Sequence, residues 1–184
     1  MDTISFHKIS WNQFEKDCLD LYKNKVKGTQ IDKIISISRG GTVASRIFSD
    51  LLGTLAISHI TISSYKDMKK IAIPIVTEEP KTNFKGQTVL IIDEVSDTGA
   101  TFELAVEHIK KHNPKKIYTL SPYIKPHTTF KPDFWIKNID AWIIFPYDIR
   151  ETAEGFVKLL GSAEHARTKL LELGFEQWEL ETVL

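Results

Sequence analysis

The sequence predicts an α/β fold: a single domain with a mainly parallel central sheet flanked by helices. Three observations carry that expectation. Two short, β-branched and mostly apolar runs, IDKIISIS (31–38) and TVLIID (88–93), have the composition of buried strands. Each leads through a turn of small residues into apolar residues at helical spacing. Strand, turn and helix alternate three times in this way, and parallel strands need such crossovers. The length of 184 residues suits one compact domain, which at this size buries about 70% of its unfolded surface and needs no staple.

The first element is a helix. Trp11, Phe14, Cys18, Leu19, Leu21 and Tyr22 recur at helical spacing behind Ser10, a good N-cap residue. IDKIISIS follows Gly28. Gly40-Gly41 open a second helix, with Val43, Ala44, Ile47, Phe48, Leu51 and Leu52 on its apolar side and Gly53 at its end. ISHITISSY (57–65) alternates as a strand. Residues 66–87 are charged and polar around Pro74 and Pro80, which predicts a loop with at most one short strand at 73–77. TVLIID is the strongest strand. Beyond Gly99 a helix is expected from about Thr101 to His112, ended by Asn113-Pro114. KIYTLSPYI (116–124) and AWIIF (141–145) read as two further strands. The tail gives two helices split by Gly161-Ser162, the second ending near Gly174. Ligands of a parallel sheet gather at the strands' carboxyl ends, so chemistry is expected in the loops after 38, 93 and 124.

Composition narrows the function. Twenty-four basic residues cancel twenty-four acidic ones, which speaks against a broad electrostatic grip on nucleic acid. The lone cysteine, Cys18, excludes an internal disulfide and a multi-thiolate zinc site. The start, MDTISFHKIS, lacks the apolar core of a signal peptide, and no apolar run reaches the ~18–20 residues of a membrane span. A cytoplasmic protein without membrane partners is expected. The six histidines show no metal-ligand spacing beside cysteines or acids; His108 and His112 stand i,i+4, which reads as a solvated helix face.

Two turns stand out. Asp93-Glu94-Val95-Ser96-Asp97-Thr98-Gly99-Ala100-Thr101 puts two carboxylates at a strand end and then a small-residue turn into a helix. The turn offers backbone N–H groups and two hydroxyls at a helix N-terminus, suited to a phosphate. The carboxylates suit vicinal hydroxyls or a hard divalent cation. By spacing alone, a capped helix with solvated acids explains these residues equally well. Ser38-Arg39-Gly40-Gly41 likewise joins strand to helix; paired glycines admit an anion to the backbone and Arg39 adds a guanidinium fork. Alone it would read as a tight turn with a surface arginine. Together the two turns would suit a ligand with two phosphate groups separated by a diol-bearing sugar.

VLIIDEVSDTGAT (89–101) closely resembles the phosphoribosyl-pyrophosphate signature of type I phosphoribosyltransferases, and IISISRGGTVASRIFSDLLG (34–53) resembles their pyrophosphate loop and its helix. ISSY (62–65) is similar to the serine-tyrosine pair that opens their mobile loop. YIKP (123–126) and AWIIFPYD (141–148) resemble the xanthine-guanine branch, so the likeness spans roughly residues 4–148. It implies a phosphoribosyltransferase domain over 1–150 with a small hood over the base site, and a helical extension, 151–184, packed on it.

The resemblance further implies the roles. Asp93 and Glu94 would hold the ribose hydroxyls, with Glu94 beside Mg²⁺. The family often has two aspartates here, so Glu94 departs from the pattern. Asp97, Thr98, Gly99, Ala100 and Thr101 would bind the 5′-phosphate. Arg39 and Gly40 would bind pyrophosphate, with a non-proline cis bond at Ser38-Arg39. Asp97 would also accept the proton that the purine loses as it attacks the sugar. Lys125, a donor without acceptors, matches a 6-oxo group better than adenine's amino group. Trp142 would stack on the base and the Ile143 backbone would meet its edge. Taken singly, a strand tryptophan is usually core and a lone lysine solvated. Lys66, Lys69 and Lys70 follow Tyr65 in the mobile loop, and none is assigned. The expected partners are phosphoribosyl pyrophosphate and a 6-oxopurine in a dimer or tetramer. Competing readings are another nucleobase, or a non-catalytic sensor of purine or phosphoribosyl pyrophosphate. The tail either packs on the domain or forms a subunit contact or cover.

Overall fold

The computed structural model describes residues 5–54, 56–64 and 73–184. Tyr65, Lys66, Lys69 and Lys70 lie outside the described residues. In chain order the elements are β1 (Phe6–Lys8), α1 (Trp11–Leu21), β2 (Lys33–Ser38), α2 (Gly41–Leu52), β3 (Ile57–Ser64), β4 (Pro74–Glu78), β5 (Thr88–Ile92), β6 (Val95–Ser96) and α3 (Ala100–Lys110). They continue as β7 (Lys116–Leu120), β8 (Tyr123–Ile124), β9 (Lys137–Asn138), β10 (Trp142–Ile144), α4 (Ile149–Leu160), α5 (Ala163–Glu172) and α6 (Gln177–Glu181). A wider π turn, Tyr22–Val26, prolongs α1. The chain forms two compact units, Glu15–Ile139 and Met1–Phe14 with Asp140–Leu184.

In the unit Glu15–Ile139 the strands stand in the order β4-β3-β2-β5-β7, all parallel except β4, which returns antiparallel along β3. Alternation of side chains puts Ile35, Ile37, Val89 and Ile91 on one face, where they pack with Phe102, Ala105 and Ile109 of α3. Ile34, Leu90 and Ile92 point the other way and are buried too. The chain steps from β2 outward to β3 through α2, then from β5 outward to β7 through α3, in the opposite direction. Right-handed crossovers then place α2 and α3 on opposite faces and create a switch point between β2 and β5. The two expected anion turns leave those two strands.

The expected strand 116–124 is two strands in different sheets. Proline has no N–H for a ladder, and at Ser121-Pro122 the chain leaves β5. The Ser121 hydroxyl then bonds the Tyr123 carbonyl at 2.7 Å, and β8 joins a small sheet, β6-β8-β9. Asp17, buried on α1, receives the Tyr123 hydroxyl at 2.9 Å and the Lys137 ammonium at 2.7 Å, pinning this sheet. On the same helix Ser10 accepts the Gln13 N–H at 3.1 Å, while Phe14, Cys18 and Leu21 are buried. Trp11 and Leu19 are exposed instead, although the periodicity had placed them on the buried stripe.

The other unit has its own core. β1 pairs parallel with β10, and Ile144 packs with Ala153, Phe156, Ala166, Leu170, Phe175 and Leu180 from the tail. A third tail helix, α6, follows the two expected ones. Its start is fixed by a capping box between Glu176 and Glu179, and Lys8 binds the Gly174 carbonyl at 2.8 Å. No helix among the described residues is long and apolar enough to cross a membrane.

Candidate active site

β2 and β5 run side by side with Ser36 opposite Ile92, so the turns that follow them emerge next to each other. Their contact is close enough to depend on glycine. A Cβ on Gly41 would run into the Ile92 carbonyl and stand 2.9 Å from the Asp93 Cα. One on Gly40 would collide with the Glu94 carboxylate. The peptide joining Ser38 to Arg39 is cis, as the resemblance implies, and the Ser38 hydroxyl shares a 3.0 Å hydrogen bond with His59 of β3.

Asp93 is buried at 8% exposure, and burial pushes its carboxyl well above the usual range. The neighbouring Glu94 adds to the shift by charge and by a shared side-chain hydrogen bond, while the Gly41 and Glu94 N–H groups oppose it. The buried Glu94 Oε2 has no hydrogen-bond partner among the described residues. Two adjacent carboxyl groups, Asp93 buried and Glu94 half-buried with one unsatisfied oxygen, form the donor set of a hard divalent cation. These residues fit magnesium.

Val95, Ser96, Asp97, Thr98, Gly99, Thr101 and Phe102 line a pocket that continues from Asp93 and Glu94. Gly99 takes φ +98° before α3, and a Cβ there would meet Phe130 at 2.6 Å. The segment after β8 braces this turn from outside. The Lys125 N–H donates to the Ser96 carbonyl at 3.0 Å, and Thr129 donates to the Thr98 carbonyl through both its N–H and its hydroxyl, each at 2.9 Å. The Ser96 hydroxyl donates to the Phe130 carbonyl at 2.8 Å, and the Phe130 ring stacks on Phe102 with centroids 5.3 Å apart. The turn's carbonyls are thus partly engaged by that segment, and its pocket side faces the carboxylates.

One residue was not anticipated. His127 Nε2 lies 2.8 Å from Asp97 Oδ1, with both side chains 60% exposed. A carboxylate only accepts, so Nε2 carries the proton. The structure therefore gathers Arg39, Gly40, Asp93, Glu94, Asp97–Thr101 and the backbone of Lys125 within one unit and adds His127. Trp142 and Ile143 belong to the other unit. There the Trp142 ring stands 55% exposed while Ile143 is buried, and the Trp142 N–H donates to the Ser5 carbonyl at 2.8 Å.

A profile of the phosphoribosyl transferase domain matches residues 10–152, most of the chain. The chain belongs to the phosphoribosyltransferase family. Phosphoribosyltransferases are pentosyltransferases, and both switch-point turns lie within the matched residues. It is similar to the xanthine-guanine phosphoribosyltransferase of Idiomarina loihiensis, 27% identical over 143 residues that cover 77% of this chain and 86% of that protein. It resembles the crystal structure of a purine phosphoribosyltransferase from Pyrococcus horikoshii at 28% identity and a TM-score of 0.71, covering 78% and 95% of the two chains. The xanthine-guanine-hypoxanthine phosphoribosyltransferase of Helicobacter pylori shares the fold at a TM-score of 0.68 and 23% identity, over 79% of this chain and 97% of that one.

Proposed function

We propose that this phosphoribosyltransferase acts on purines carrying a 6-oxo group (guanine, hypoxanthine or xanthine), converting the base and phosphoribosyl pyrophosphate to the nucleoside 5′-monophosphate and pyrophosphate. The observation that carries it is the meeting of the two anion turns at one switch point, with Glu94 against Gly40 and the braced turn Asp97–Thr101 beside them. The names of the two relatives above 25% identity agree with a purine substrate.

In this reading the N–H groups of Asp97–Thr101 at the start of α3 hold the 5′-phosphate, and the helix dipole favours the anion. Asp93 and Glu94 take the ribose hydroxyls, and Glu94 would hold magnesium, which would supply positive charge beside the pyrophosphate. Arg39 and the Gly40 backbone bind that same group, and the guanidinium supports the charge that develops as the bond to the sugar breaks. Asp97 accepts the proton from the purine N7 as N9 attacks C1 of the sugar. His127, on Oδ1, orients this carboxylate and leaves the other oxygen to face the base. Lys125 donates to the 6-oxo group. Trp142, exposed on its own strand, supplies a ring face for stacking.

The test is release of pyrophosphate from phosphoribosyl pyrophosphate and magnesium with adenine, guanine, hypoxanthine and xanthine in turn. Turnover with one or more 6-oxopurines and little with adenine supports the reading. Equal turnover of adenine overturns the base assignment, and no turnover with any base overturns the purine assignment.

A further inference from the structure

On the α3 side of the sheet, away from the switch-point turns, the fold assembles a group of side chains the phosphoribosyl chemistry does not use. His108 stands in the last turn of α3 and His112, four residues on, in the turn that follows the helix, while Glu79 follows the last residue of β4, the antiparallel strand packed against that helix. One ligand atom from each lies within 4.8 Å of the other two. His108 Nε2 already touches Glu79 Oε1 at 2.9 Å, and the His108 side chain is only 14% exposed. The His112 ring is steadied edge-on against Phe84 at 5.4 Å.

We propose that Glu79, His108 and His112 form a binding site for a borderline divalent transition cation, Zn²⁺ above all, with water completing a tetrahedron. The donor set, two imidazoles and a carboxylate, suits zinc, and the turn that follows α3 keeps His112 within reach of the same ion as His108. Bonds of about 2.0–2.1 Å about a tetrahedral zinc put neighbouring donor atoms a little over 3 Å apart. The His108–Glu79 separation, 2.9 Å, is close to that spacing. All three donor atoms lie within 4.8 Å of one another, and Glu79, whose side chain is 61% exposed, can rotate to follow the ion. Zinc takes the place of the hydrogen that now joins His108 Nε2 to Glu79, and the neutral imidazole then carries its proton on Nδ1. Magnesium, which prefers a shell of oxygens, is a poor occupant, so this site and Asp93-Glu94 sort the two metals by chemistry. A bound ion would tie the edge strand β4 to α3, the helix whose first turn follows the Asp97–Gly99 loop.

The test is zinc titration of the chelator-stripped, buffer-exchanged protein by calorimetry, with cobalt as a spectroscopic substitute. The expected result is one tight zinc per chain, tetrahedral cobalt absorption, and a melting temperature raised by about 5–11 °C at a hundredfold excess over Kd. Magnesium in millimolar excess should not displace the zinc. His108→Ala with His112→Ala should abolish the tight binding. Because His108 is mostly buried, Glu79→Gln at the exposed ligand is the control for folding and should weaken binding at least tenfold. His127→Ala should leave zinc binding unchanged. Absence of stoichiometric binding, or binding that survives both histidine substitutions, overturns the proposal. Neither result depends on turnover, so the outcome is independent of the base and sugar chemistry.

Discussion

Gly40 and Gly41 are adjacent, yet alanine should do opposite things at the two positions. At Gly41 the new methyl meets backbone: the Ile92 carbonyl and, at 2.9 Å, the Asp93 Cα. Backbone in the middle of a parallel sheet cannot move aside, so Gly41→Ala carries an overpacking cost of about 1–3 kcal/mol. For a chain of this size that lowers the melting temperature by about 3–10 °C. At Gly40 the methyl meets the far end of the Glu94 side chain, which can swing away. In leaving, Glu94 gives up only the hydrogen bond it shares with Asp93, its Oε2 having no partner among the described residues, and Gly40 sits at φ −53°, ψ −50°, where alanine is comfortable. Gly40→Ala should therefore melt within a degree or two of the parent, or slightly above it, as alanine restrains the unfolded chain by about 0.4–1 kcal/mol. Its damage falls on ligand binding: displacing a charged group worth about 1.5–3 kcal/mol raises KM for phosphoribosyl pyrophosphate by about ten- to a hundredfold. Differential scanning fluorimetry and steady-state kinetics read the two effects. If the added methyl acts through Glu94, combining Gly40→Ala with Glu94→Ala should be no worse than Glu94→Ala alone. A Gly40→Ala variant that melts like Gly41→Ala, or that keeps the parent KM, refutes the reasoning.

Asp97→Asn keeps the turn's shape but removes the proposed proton acceptor, so turnover should fall by about 10²–10⁴-fold while nucleotide binding survives; single-turnover kinetics check it. Lys125→Ala should lower kcat/KM for 6-oxopurines about tenfold or more, through loss of a charge-assisted hydrogen bond, without changing KM for phosphoribosyl pyrophosphate. The third outcome concerns alkaline pH. Burial, with help from Asp17 and Glu15, pushes the Cys18 thiol up to about 12, and burial followed by the Asp17 hydrogen bond also raises Tyr123. Both groups keep their protons in the fold at pH values where the unfolded chain has lost them. Folding stability is therefore whole below about pH 8.5 and declines as pH rises from there towards 12. Denaturant melts of Cys18→Ala and Tyr123→Phe across this range should show a flatter alkaline limb than the parent, and native Cys18 should resist an alkylating reagent at pH 9 that modifies the unfolded chain.

What could be read from the residues was what local chemistry decides. β2 and β5 are legible because burial on both faces leaves runs such as TVLII that few other environments tolerate. The turns at 38–41 and 93–101 are legible because tight approach demands glycine, and the close neighbours of Gly40, Gly41 and Gly99 bear that demand out. β1 was not, since three residues, FHK, carry no period and its partner β10 lies at the other end of the chain. α6 has five residues, too few for a helical repeat to register. His127 illustrates the same limit in the site: its significance comes from Asp97, thirty residues away in sequence and 2.8 Å away in space. The histidine pair at the end of α3 was visible as a pair, but the carboxylate that changes its meaning arrives just after β4.

The bracing of Ser96 and Thr98 by Lys125, Thr129 and Phe130 has an evolutionary corollary. The stretch that carries Lys125 and His127 shares hydrogen bonds with the turn read here as the phosphate cradle, so the two cannot drift apart. Insertions or deletions between Ile124 and Phe130 would break the hydrogen bonds that hold Ser96 and Thr98 in place. If Lys125 and His127 act as proposed, a lineage changing its preferred base is then confined to swapping side chains at fixed backbone positions. Sequence length in this stretch should be held more tightly among relatives than sequence identity.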